Sequence, residues 1–139
     1  MKNGKLKLGK YIIEPKTKAD VLQSDEFNII NMKNEKVYIS KMPLELYGSK
    51  FWTSIYCKEA FIKKIDLCNA DKKYKMSYKT MTGTALQELR KENDKFLLDN
   101  LGNPNKENIS GLEYDYSWGK ILSYFDNKSA QAGIVINYV

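Results

Sequence analysis

The sequence predicts an α+β fold: a twisted antiparallel sheet of about six strands, with one long helix packed on it and a short N-terminal helix. Three observations predict it. Residues 112–118 alternate strictly, with Leu112, Tyr114, Tyr116 and Trp118 on one side and Glu113, Asp115 and Ser117 on the other, the period of a half-buried strand. Between Thr84 and Leu101, Leu86, Leu89, Asn93, Phe96, Leu97 and Leu101 recur at steps of three and four, the stripe of an amphipathic helix. The 139 residues, 42% of them hydrophobic, contain no internal repeat and suit a single domain able to bury its own core.

The elements follow in order. Tyr11 to Pro15 (YIIEP) reads as a short strand closed by proline. Thr17 and Asp20 have the spacing of a capping box, with Val21 and Leu22 behind them, which predicts a short helix over Lys18 to Ser24. FNIINM and KVYISKM flank KNE as a hairpin. After the break at Pro43, a turn at Gly48 leads into a hairpin turning near Glu59. There Phe51, Thr53, Ile55 and Cys57 share a face opposite Ile65 and Leu67. A polar, lysine-rich connection precedes the long helix. Glu88–Lys91 and Glu92–Lys95 sit at i,i+3 on its solvated side, Gly102 suits the left-handed residue after its end, and Pro104 prevents continuation. Three strands close the chain: LEYDYSW, KILSYF and AGIVINYV. The last two form a hairpin around DNKSAQ, where Asp126 and Asn127 suit the turn. Gly119 lets the chain turn or bulge after Trp118. The helix residues Leu89, Phe96 and Leu97 are expected to cover the aromatic face, and of Tyr124 and Phe125 one is expected to face out.

Composition excludes several chemistries. There is no histidine, which removes Ser-His-Asp and Cys-His nucleophile activation and histidine metal sites. Cys57 and Cys68 stand eleven positions apart, which is no metal-binding spacing, and the hairpin parity keeps their sulfurs apart. No run of apolar residues is long enough for a membrane helix. No apolar stretch of a secretion signal follows the first lysines, so a cytoplasmic protein without disulfide, cofactor or metal is expected.

The net charge of +6 invites a nucleic-acid partner. The stretch KKYKMSYK, which interleaves lysine with Tyr74 and Tyr78, could stack on single strands. Against this, Arg90 is the sole arginine, and guanidinium is the better fork for phosphate and base edges. The abundance of Lys, Asn, Ile and Tyr also matches what an A·T-rich coding sequence supplies. Glu113 and Asp115 are the best-placed carboxylate pair. Their Cβ atoms on one strand face lie about 6 to 7 Å apart, a spacing that glycosidase-like acid and base roles can use and that a solvated strand face shows equally. Nothing in the sequence supplies the raised pKa that a general acid needs.

Three stretches resemble a small family of bacterial α+β proteins. Gly9 to Phe27 (GKYIIEPKTKADVLQSDEF) is similar to its opening, and FLLDNLGNP resembles the end of its helix. Tyr114 to Val139 resembles its closing signature, with Trp118-Gly119 and Asp126-x-Lys128 as structural marks. Some members resemble immunity proteins encoded beside polymorphic or contact-dependent toxins. The resemblance implies a non-catalytic protein that neutralises a toxin domain by stoichiometric binding. The basic charge departs from the acidic character that suits basic nuclease toxins and implies an acidic toxin surface. Tyr124, Glu113, Asp115 and the open edge of the sheet are the candidate partner-binding features, since a partner can add a strand to an edge. A lysine-rich nucleic-acid-binding module is the alternative.

Overall fold

A computed structural model describes residues 1–71, 83–126, 128 and 131–139. A two-stranded hairpin, β1 (Leu6–Leu8) and β2 (Tyr11–Ile13), comes first. The strands β3 (Phe27–Asn31), β4 (Glu35–Ser40), β5 (Leu44–Leu46), β6 (Ser49–Lys58) and β7 (Phe61–Asn69) follow. The helix α1 (Gly83–Leu101) leads to β8 (Lys106–Asn108), β9 (Gly111–Tyr116), β10 (Gly119–Asp126) and β11 (Gln131–Tyr138). β3 to β11 form one antiparallel sheet of nine strands in the order β3-β4-β6-β7-β11-β10-β9-β8, with β5 also paired to β6.

The α+β class stands, with more strands than the six expected. The additions are short. β5 and β8 have three residues each, too few to show a period, and β1 hides in the lysine alternation of LKL. Leu6, Leu8, Tyr11 and Ile13 of the small hairpin are all buried while Lys7 and Ile12 point out.

The N-terminal helix is not formed. Lys18 to Ser24 contains a 3-10 turn at Ala19–Val21, and a second 3-10 turn follows at Ser24–Glu26. Tertiary main-chain bonds outcompete the helix. The Ala19 N–H donates to the Ala60 carbonyl, the Ile62 N–H donates to the Thr17 carbonyl, and Lys18 bridges Phe61. The Thr17 hydroxyl accepts from the Glu14 N–H behind it instead of capping forward. Only Leu22 of the expected apolar pair is buried, while Val21 is 45% exposed.

The sheet consists of two meanders, β3 to β7 and β8 to β11, that meet where β11 pairs with β7. Between β7 and β8 the chain must pass four strand positions, about 19 Å at the usual strand spacing. A helix of 19 residues is about 28 Å long, enough to span the second meander. It packs on β9, β10 and β11.

One face of the sheet is the core. Phe51, Ile55 and Cys57 of β6, Ile62, Ile65 and Leu67 of β7, and Ile134, Ile136 and Tyr138 of β11 are buried there. Ile121 of β10 and Leu112 and Tyr114 of β9 join them, together with Leu97 and Leu101 of α1 and the four inward residues of the β1–β2 hairpin. The expected register is present, with Thr53 opposite Leu67 and Ile55 opposite Ile65. A bulge leaves Lys63 unpaired between the Tyr56–Lys64 and Cys57–Ile62 pairs, so Ile62 and Ile65, three apart, both point inward. The two cysteines remain free thiols.

The helix matches its expected span and stripe. Leu86, Leu89, Asn93, Leu97 and Leu101 are buried, Phe96 meets Phe51 edge-on at 5.3 Å, and the Gly102 N–H closes the helix on the Leu98 carbonyl with φ +80°. The ion pairs on its surface include Arg90–Asp94 and Lys95–Asp99 at i,i+4. Leu97 and Leu101 share a cluster with Tyr114, whereas Leu86 and Leu89 pack on Ala132 and Phe125.

Trp118 sits in the turn between β9 and β10, stacked on Tyr116 at 5.3 Å and tilted against Tyr138. Gly119 has φ +153°, and a Cβ there would lie 1.9 Å from the Asn137 carbonyl oxygen, so only glycine closes this corner. Asp126 accepts from the Lys128 N–H, as its turn role requires. Asn127 and the lysine–tyrosine stretch with Tyr74 and Tyr78 lie outside the described residues.

Candidate functional site: the outer face of the sheet

Alternation that buries one face assigns the remaining residues of each strand to the other. The helix and the β1–β2 hairpin both lie on the inner face, so the outer face carries what they leave. Its layout follows from the strand registers. One row runs Asp115, Lys120, Asn137, Lys64, Tyr56, Val37 and Ile30. The next runs Lys106, Glu113, Leu122, Val135, Asp66, Ser54 and Ile39. Beyond these, Trp52 stands opposite Cys68 and Tyr124 opposite Gly133. Trp52 is 47% exposed, a large apolar side chain on an open sheet face.

The three candidate residues therefore come to one face. Glu113 and Tyr124 also line a small cleft of about 120 Å³ with Leu122 and Asn108. Tyr124 does not project. Gly133 leaves room for its ring, which lies 2.8 to 2.9 Å from where a Cβ would be. The hydroxyl reaches across to Asp66 at 3.4 Å. Burial, followed by the nearby Asp66 carboxylate, raises the Tyr124 phenol well above its ordinary value. Burial likewise raises the Asp66 carboxyl, partly offset by Lys64 and the Tyr124 hydroxyl. Phe125, the other parity, packs inward under α1.

Glu113 and Asp115 are bound into an ionic cluster. Lys106 lies 3.4 Å from Glu113, and Lys120 lies 3.8 Å from Glu113 and 3.9 Å from Asp115. The neighbouring Asp115 side chain first, then Lys106 and Lys120, hold the Glu113 carboxyl below its ordinary value against the opposing effect of burial. A general acid needs the opposite shift, so this geometry suits ion pairing. Lys64 rests 4.4 Å over the Tyr56 ring, a cation–π contact that holds the ammonium against the face.

The sole arginine is committed to structure. Arg90 ion-pairs with Asp94, lies 5.4 Å over the Phe125 ring and donates to the Asn108 carbonyl at 3.1 Å. Among the described residues, no group of three His, Cys, Asp or Glu side chains is placed to hold a metal ion, and no helix is long and apolar enough to cross a membrane.

Sequence reasoning missed Trp52, Tyr56, Lys64 and Asp66. Their signal was present, since each alternates with a residue assigned to the core. The pairing order that sets them beside Glu113 and Tyr124 requires β11 to insert between β7 and β10, and no local pattern encodes that. Comparison of the chain with protein-family models, with curated proteins and with solved structures finds no match in any of the three.

Proposed function

We propose that this is a cytoplasmic, non-catalytic protein-binding domain, immunity-like, which neutralises a toxin domain by stoichiometric binding through the outer face of its sheet. The observation that carries this reading is the composition of that face. Trp52, Tyr56 and Tyr124 supply aromatic area, the residue types that dominate binding energy at protein interfaces. Lys106 and Lys120 among them are matched by Glu113 and Asp115, and Lys64 is held over the Tyr56 ring. A nucleic-acid surface needs a surplus of unmatched cations along a stripe, and Arg90 is spent on the helix. The remaining positive charge of the chain favours a partner with an acidic surface.

The test is a pull-down from the native host with nuclease treatment at low and moderate salt. The wild type is expected to retain one protein at a one-to-one ratio, and co-expression is expected to relieve that protein's toxicity. Trp52→Ala is expected to weaken the complex at least tenfold, about 1.5 to 2 kcal/mol for an aromatic anchor, while leaving the unfolding midpoint within experimental scatter. Recovery of nucleic acid alone, released by salt with a steep log–log slope, would replace this reading with the nucleic-acid-binding one.

A further inference from the structure

The two ends of the sheet are built differently. β8 is three residues long, and its exposed Lys106 and Glu107 put charge on the edge, the usual way an edge is kept from pairing. β3 is five residues long (Phe-Asn-Ile-Ile-Asn) and carries no charge, proline or bulge. Ile29 and Ile30 are 37% and 49% exposed, and Met32 just beyond them is 56% exposed. Among the described residues β3 pairs only with β4.

The phase of its hydrogen bonds can be read directly. Met32 and Glu35 exchange both main-chain bonds, at 2.8 and 3.3 Å, and the Lys41 N–H donates to the Glu26 carbonyl. Bonded pairs alternate along an antiparallel ladder, so Asn28 and Ile30 also face β4. Ile29 and Asn31 therefore turn their N–H and C=O groups toward the open edge, as does the Phe27 carbonyl, while the Phe27 N–H is bonded to the Ser24 carbonyl.

We propose that β3 pairs antiparallel with β3 of a second copy, about a two-fold axis through Ile29, joining the two sheets into one. In this register Ile29 faces Ile29, and Phe27 faces Asn31 of the second copy. The two Ile29 residues exchange both bonds, and each Asn31 N–H donates to the Phe27 carbonyl opposite, while the Phe27 N–H keeps its bond to the Ser24 carbonyl. The ends are complementary in charge. Asp25, in the 3-10 turn before the strand, and Lys33, in the bend after it, are both exposed, and the antiparallel arrangement brings the Asp25 end of each copy to the Lys33 end of the other. A parallel arrangement would set like beside like. The contact is self-complementary, as a two-fold dimer requires. It uses the sheet's edge and is independent of the outer-face binding proposed above.

Sedimentation equilibrium tests it. The wild type is expected to pass from the chain mass of 16.1 kDa to twice that as concentration rises to roughly 100 µM, where small interfaces associate. Ile29→Pro removes an outward N–H that the monomer does not use and is expected to stay monomeric. Asp25→Lys is expected to weaken association about tenfold through two repulsive pairs, and the exchange Asp25→Lys with Lys33→Asp is expected to restore it. The charge exchange keeps the test decisive even if the proline variant fails to fold. A wild type monomeric throughout, a dimeric Ile29→Pro, or no restoration by the exchange would overturn the proposal. So would a monomeric wild type whose captured partner protein is lost on Ile29→Pro, which would assign the edge to that partner's strand.

Discussion

Asn93 shows how one residue can sit against the logic of its surroundings. It occupies the buried stripe of α1 between Leu89 and Leu97 and is 2% exposed, yet among the described residues its side-chain Nδ2 has no hydrogen-bond partner. A buried, unsatisfied amide costs about 1 to 3 kcal/mol. Asn93→Leu keeps the γ-branched shape with a larger side chain, is a better helix former, and can extend into the cleft of about 450 Å³ that Asn93 lines. It is expected to stabilise the protein by about 1 kcal/mol, read as a higher urea midpoint with an unchanged slope. Ser123 is the satisfied counterpart: buried on β10, it donates to Asp94 at 2.6 Å and accepts from the Leu112 N–H at 2.9 Å, which ties helix, β10 and β9 together. The sequence marked Asn93 as part of the stripe, but whether its amide would find a partner depends on the strand opposite.

Among the elements, the N-terminal segment is held by chain it is remote from in sequence. The Trp118 indole donates to the Lys2 carbonyl and the Tyr138 hydroxyl to the Gly4 carbonyl. Gly4 packs so closely on Pro15 and Trp118 that a Cβ would lie 2.8 Å from each. Tyr138→Phe is expected to cost about 1 kcal/mol by orphaning that buried carbonyl. It should also speed amide exchange in β1 and β2 more than in β6 or β7, because the hairpin is the part released. Tyr116→Phe serves as a control expected to change neither. The aromatic alternation of residues 112–118 made an inward face legible, and Tyr114 fits it. The partner of Trp118 was not legible, because contacts 116 residues apart leave no local trace.

At the scale of the whole molecule, buried acids that are neutral at pH 7 make the fold sensitive to alkali. Burial first, then neighbouring groups, push Tyr11 and Tyr114 up to about 12, and burial pushes both Cys57 and Cys68 up to about 11. Each of these groups has a folded pKa above its unfolded one. Its contribution is complete below the unfolded pKa, near 9 for the thiols and 10 for the phenols, and is lost as pH rises through the folded values. The urea midpoint is therefore expected to hold steady from pH 7 to 8.5 and fall between about pH 9 and 12. At pH 8 both thiols should resist alkylation in the native protein and react once it unfolds.

Taken alone, the sequence determined the α+β class, the span and buried stripe of α1, the turn at Gly48, the hairpin at Glu59, and which residues of each long strand share a side. All of these depend on periods of two or 3.6 residues and on turn chemistry, which are properties of neighbouring residues. It misjudged Lys18 to Ser24, where bonds between Ala60 and Ala19 and between Ile62 and Thr17 override a weak helical signal. Only the tertiary structure decided that β11 lies against β7, that α1 and the β1–β2 hairpin cover the same face, and that Trp52, Tyr56, Asp66, Glu113 and Tyr124 consequently meet on the other. Which face is covered depends on where long connections return, and that is settled by the burial of the assembled sheet rather than by any stretch of residues.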